Sequence, residues 1–337
     1  MLAERLREWI RARGPITFRD WMEAALYDPE FGYYTRADLK RWGREGDYRT
    51  SAERSELFAA TFARYFAKLY EQLGRPSEWS IVEVGAGDGS FARRVQQALE
   101  NEHPRIFEAT RYHISEIHNV SQPIRGSSPC LYFSNELLDA FPVHRVSDQG
   151  ELYVTLDSDN RFTWSVGPHS TPRLTEFLDE HSLKLAPGQT IEINLAIDGW
   201  LTSVAGKLER GFIITVDYGA EAAELYDPVL RPSGTLRAFS RHGFVDDVLS
   251  APGEYDITSS VNWTQVKATG ERLGLRVVEF DSQDHFLLRA GLLDELEWRL
   301  KQMESEADKL RLTIDAREMI LPGNMASNFQ VLVQERR

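Results

Sequence analysis

The chain has one cysteine, no long apolar run and a deficit of basic residues: 39 Lys and Arg against 52 Asp and Glu over 337 residues, a formal net charge of −13. The lone Cys130 excludes an internal disulfide and a cysteine-based zinc site. With no stretch of 18 apolar residues, no membrane-spanning helix is expected. The acidic balance argues against nucleic acid as a partner, because binding to a phosphate backbone draws on clustered Lys and Arg. It permits a basic protein or peptide. The amino-terminal segment interleaves Arg5, Arg7, Arg11 and Arg13 with Glu4 and Glu8, unlike an acid-poor transit peptide, so a cytoplasmic protein is expected. With 42% apolar residues there is enough for a large core, and the length calls for two lobes or one domain with additions.

What is present is a glycine-rich turn. The run from Ile81 to Phe91, IVEVGAGDGSF, takes an apolar strand into a turn, and Phe91, Val95, Ala98 and Leu99 then recur at helical spacing. Glycines let a ligand approach the backbone, and the helix amino terminus adds oriented N–H groups. A dinucleotide fingerprint has its third glycine one residue later than Gly89, where Ser90 stands. Candidate ligand contacts are Glu83, Gly85, Ala86, Gly87 and Gly89, with Glu116, at the end of the second strand Tyr112–Glu116, for ribose hydroxyls. A third strand, Cys130–Ser134, leads into Asn135 and the acids Glu136 and Asp139. One helical turn apart, these two could hold a guanidinium; the competing reading has Asn135 capping a helix whose positive end the acids favour. Asp217 tips a fourth strand, Gly211–Tyr218, and His242 in the loop beyond is a candidate for accepting a proton. His113, Glu116 and His118 are spaced like metal ligands but lack any supporting motif, so no metal is expected.

Two sections organise the chain. Residues 1–79 form a helical extension: Leu2, Leu6, Trp9 and Ile10 line a first helix, Thr17-x-x-Asp20 starts a second, and a third begins at Thr50-x-x-Glu53 and stops at Gly74. The polar stretch 32–50 between them reads as a lid. Residues 80–337 form an α/β domain with insertions at about 145–190 and 220–262, the first carrying a β-hairpin, Leu152–Leu156 and Phe162–Val166, suited to face a substrate. Leu293, Leu296, Leu300, Met303, Ala307 and Leu310 predict one long amphipathic helix, and Phe329–Val333 a closing strand.

An ordered series of segments resembles one family nearly end to end. It comprises Gly14-Pro15-Ile16, Tyr27-x-Pro29-x-x-Gly32-Tyr33-Tyr34, Gly46–Ser51, the glycine turn, Asn135–Pro142, Asp217-Tyr218-Gly219, Gly234–Ala238 with Arg241-His242, Pro252–Thr258 and Leu321–Met325. Together these resemble the MidA-like S-adenosylmethionine (SAM)-dependent methyltransferases, relatives of the mitochondrial arginine methyltransferase that assists assembly of respiratory complex I. The resemblance implies a Rossmann-like methyltransferase sheet with a helical amino-terminal extension, and SAM as cofactor. Its site would comprise the glycine turn with Glu83, Glu116 and Asn135, joined by Gly46, Asp47, Thr50 and Ser51; Glu136, Asp139, Asp217 and His242 would be the catalytic candidates. The implied partner is a protein substrate methylated on arginine, with a respiratory-complex subunit as one such substrate; a eukaryotic member would work in the mitochondrial matrix. The alternative is a non-catalytic SAM-binding assembly factor. The chain departs from the family at Ala52 and Arg54, and in the 18 residues between Glu116 and Asn135, too few for helix, strand and helix. That segment either removes a strand or builds the adenine side of the pocket differently.

Overall fold

The computed structural model describes residues 1–36, 56–116, 128–240, 243–321 and 328–337. Gly46, Asp47, Thr50, Ser51, Arg241 and His242, most of the expected lid and the start expected for the third helix lie outside them. The chain divides into two units: 1–48, 138–200 and 219–266 in the first; 49–137, 201–218 and 267–337 in the second.

The second unit is built on a sheet ordered β14 (Arg276–Ser282), β15 (Phe329–Arg336), β9 (Gly211–Ala220), β4 (Cys130–Asn135), β2 (Trp79–Val84) and β3 (Thr110–Ser115). Its parallel part is β2, β3, β4 and β9; β15 runs antiparallel to β9, and β14 antiparallel to β15. The four parallel strands fall where alternation and apolar runs predict them. Among the described residues β3 is the edge strand, paired only with β2. β2 and β4 are buried almost throughout because helices cover both faces of a parallel sheet. The helix Glu56–Gln72 is apolar nearly all round and buries Phe58, Phe62 and Phe66, with Phe62 5.2 Å from Phe133 of β4. Phe91, in the first turn of the helix Ser90–Glu102, stacks on the same Phe133 at 4.7 Å, which fixes that helix and hence the glycine turn against the sheet.

The expected long helix over 293–310 is two: Leu292–Gln302 and Glu306–Ile320. Ser305 breaks the run, its hydroxyl accepting from the amide of Asp308 as an amino-terminal cap.

The first unit holds the helices Leu2–Arg13 and Phe18–Tyr27, the second opened by Thr17 Oγ1 accepting from Asp20 N at 3.0 Å. β1 (Ile16–Thr17), β5 (His144–Ser147), β6 (Gly150–Leu156), β7 (Phe162–Gly167) and β8 (Thr190–Ile193) make an antiparallel sheet; β6 and β7 are the expected hairpin. A small sheet joins β10 (Arg237–Ser240), β11 (Gly243–Phe244) and β12 (Asp256–Thr258), and β13 (Val261–Asn262) pairs with Gly219 and Ala220. A Cβ on Gly219 would lie 2.1 Å from the carbonyl of Val261, so that close pairing demands glycine. Tyr34 donates to Asp256 Oδ1 at 2.6 Å, and a Cβ on Gly32 would lie 2.4 Å from the amide of Asp28. The Gly32-Tyr33-Tyr34 segment is therefore a packing element here. Gly234 and Thr235 are explained likewise: the buried carboxylate of Glu192 accepts from Thr235 N at 2.6 Å and would collide with any Cβ at 234.

Candidate active site at the glycine turn

Gly85, Gly87 and Gly89 all take left-handed backbone, with φ of 73°, 57° and 70°. At Gly85 the positive φ is what disfavours a side chain, and a Cβ there would also press on the tip of Leu137, at 2.9 Å from its Cδ1. Asp88 Oδ1 accepts from Ser90 N at 2.8 Å, closing the turn onto the helix whose positive end points back into it. Glu116 is brought to the same place: its Oε1 accepts from Gly87 N at 2.6 Å.

Glu83 lies beneath the turn, 4% exposed, with Oε2 accepting from the Tyr112 hydroxyl at 2.8 Å. Burial pushes its carboxyl up to about 8 and the neighbouring carboxylates Glu116 and Asp88 push the same way, while the Tyr112 bond opposes them. Its carboxyl therefore faces a tyrosine within the sheet.

Beside the turn, β4 ends at Asn135, and no helix follows. The helical-turn spacing expected for Glu136 and Asp139, and the alternative in which Asn135 caps a helix, are both corrected. Glu136 instead adopts φ +53°, a left-handed conformation costing about 1–2 kcal/mol for a side-chain-bearing residue. Long-range bonds impose it: Glu136 N donates to Val216 O at 2.9 Å, and Leu137 N to Asp217 Oδ2 at 3.2 Å. Asp217 is fully buried, and its other oxygen accepts from Tyr218 N at 2.9 Å. Both its oxygens serve the backbone. Asn135 Nδ2 donates to Glu136 Oε1 at 3.1 Å, while Asn135 Oδ1 is buried without a hydrogen-bond partner among the described residues.

Asp139 belongs to the first unit, 4% exposed, its backbone carbonyl accepting from Ser259 N at 2.9 Å. Asn194 Nδ2 donates to Leu138 O at 3.1 Å and the Tyr27 hydroxyl to Ala140 O at 2.9 Å, so this loop is pinned through its carbonyls. Sequence pattern does not single out Asn194; the one trace of it is a polar residue closing the apolar alternation of β8.

The family model described as "Putative S-adenosyl-L-methionine-dependent methyltransferase" matches residues 61–125 and 120–281, more than half of the chain. The chain belongs to this methyltransferase family. It is 26% identical to the Drosophila melanogaster mitochondrial protein named protein arginine methyltransferase NDUFAF7 homolog, covering 81% of this chain and 70% of that protein. With the Homo sapiens protein arginine methyltransferase NDUFAF7, identity is 22%, covering 95% and 80%. A crystal structure from Burkholderia thailandensis bound to S-adenosyl-homocysteine superposes with a TM-score of 0.83 at 26% identity, covering 99% of this chain and 92% of that one. The Rossmann-like methyltransferase fold and SAM as cofactor, expected above, are thereby shown.

The second unit fits that cofactor. Three left-handed glycines leave backbone room, and the orphaned Asn135 Oδ1 is an acceptor suited to the methionyl ammonium. Glu116, whose Oε1 accepts from Gly87 N, would be the residue to hold the ribose hydroxyls. When bound, SAM supplies a methyl group on a sulfonium, electrophilic without further activation. Among the described residues no helix is long and apolar enough to cross a membrane.

Proposed function

We propose that this methyltransferase modifies an arginine side chain of a protein substrate, with Glu136 as the residue that meets the guanidinium. The observation that carries the reading is a carboxylate held in left-handed backbone beside the glycine turn, oriented by Asn135 and locked from behind by Asp217. Strain retained at such a position is typical of a functional site. The names of the relatives above support arginine and a protein acceptor.

Glu136 would hold the guanidinium by charge-assisted bonds and leave one nitrogen lone pair directed at the methyl carbon. The N–C bond forms as the S–C bond breaks, and the proton released from that nitrogen passes to the carboxylate or to water. Positioning the two reactants accounts for most of the acceleration. Asp217 acts behind Glu136 and is a positioning residue on this reading. The resemblance along the ordered series of segments from Gly14 to Met325 further suggests a respiratory-complex subunit as acceptor, with the cytoplasm as the site of action in a bacterium and the matrix in a mitochondrion.

Isotope-labelled SAM, a cell extract and the purified protein, followed by mass spectrometry, test the reading. Labelled methylarginine is expected. Glu136→Gln keeps the shape and removes the charge, so transfer should fall by ~10-fold or more, the loss of a charge-assisted bond of about 1.5–3 kcal/mol. SAM affinity should move far less. SAM binding with no labelled protein would point instead to the assembly-factor alternative.

A further inference from the structure

At the opposite end of the second unit's sheet from the glycine turn, the structure holds a cavity of about 550 Å3 whose wall carries Arg210, Arg276, Arg336 and Arg337 against a single acid, Glu335. β4 and β9 set the distance. Cys130 pairs with Gly211 beside the cavity and Asn135 with Val216 beside the turn, five residue steps or about 17 Å apart.

Two of the arginines are held without any acid. Arg336 donates to the carbonyls of Ala205 (2.8 Å), Leu208 (3.1 Å) and Leu273, and Arg210 donates to Leu73 O at 2.7 Å. These carbonyls orient the guanidiniums but leave their charge uncompensated, and neither forms an ion pair among the described residues. Arg276 and Arg337 share Glu335 between them. Among the side chains of the wall, four guanidiniums thus stand against one carboxylate, in a chain whose balance is −13. Forked guanidiniums match the spacing of phosphate oxygens, and the volume falls within the range of small-molecule sites.

We propose that this cavity binds a small phosphorylated anion, its phosphate oxygens taken by Arg210, Arg276 and Arg337 over a floor fixed by Arg336. A nucleic acid is disfavoured by the overall negative charge.

Titration calorimetry with tripolyphosphate, ATP and chloride at matched ionic strength tests this on the full chain. Tripolyphosphate and ATP should bind and chloride should give no saturable heat; a tighter ATP would show that the nucleoside adds contacts. Arg210→Gln and Arg276→Gln should each weaken tripolyphosphate by ~10-fold or more while S-adenosyl-homocysteine binding persists, which also verifies folding. If Arg210→Gln fails to fold because Leu73 O loses its donor, Arg276→Gln, whose guanidinium pairs with Glu335, decides alone. No saturable heat, unchanged affinity in the folded variants, or binding to phosphatidic-acid vesicles but not to tripolyphosphate would each overturn the proposal.

Discussion

Glu136 is where backbone preference and chemistry oppose each other most directly. Its φ of +53° suits glycine, whereas the proposed chemistry needs a carboxylate there. Glu136→Gly should therefore raise thermal stability by about 1 kcal/mol, the left-handed cost less the entropy of an added glycine, while methyl transfer falls. Melting temperature and single-turnover rate on the same protein check both halves, and a Gly variant that melts lower would contradict the strain. Glu83 makes a second prediction, in pH. Its folded value near 8 lies above the ordinary glutamate value, so between about 4.3 and 8 the folded state binds more protons than the unfolded state. Unfolding free energy then falls as pH rises through that window, by up to about 1.36 kcal/mol per unit for one proton. Glu83→Gln has no proton to lose there; denaturant titrations from pH 5 to 8 should show a shallower decline than in the wild type.

Among elements, the helices Ser90–Glu102 and Leu292–Gln302 meet through one arginine. Arg299 contacts Glu295 at 2.6 Å and Glu102 at 3.3 Å, with Glu56 of the helix Glu56–Gln72 at 3.9 Å. Glu295 is 1% exposed. Burial, and then the carboxyl of Glu295, raise Glu102 to about 7; Arg299 and Arg64 act in the opposite direction. Since the folded value is raised, the contribution of this pair is present at acid pH and lost as pH rises through about 7. Glu102→Gln should keep the packing and flatten stability between pH 6 and 8; an unchanged pH slope in melting curves would remove the pair from the account. The same scale explains a misreading. Asn135–Asp139 has the composition of a capped helix start, but Asp217, 80 residues along the chain, accepts the Leu137 amide and turns the segment away from helix. Spacing within five residues carries no trace of a partner so distant. The break at Ser305 was within reach of local reasoning, since Ser followed three residues later by Asp308 is a cap pattern inside an apolar period.

At the scale of the molecule, each of the two units draws on three stretches of chain, so neighbours in space are distant in sequence. The parallel strands, the hairpin and the glycine turn were legible because each is specified by residues a few positions apart: alternation, a turn, or a glycine forced to positive φ. The pairing of β1, only Ile16 and Thr17, with Val154 and Tyr153 of β6 was not, since two residues carry no period. By itself the sequence determined the strand, turn and helix that shape the cofactor side, because glycine's freedom and helical spacing are local properties. Only the tertiary structure decided the geometry of Glu136, the burial of Glu83 and the convergence of four arginines. Strain, desolvation and a surplus of charge are set by what the fold brings near a residue, whatever its neighbours along the chain.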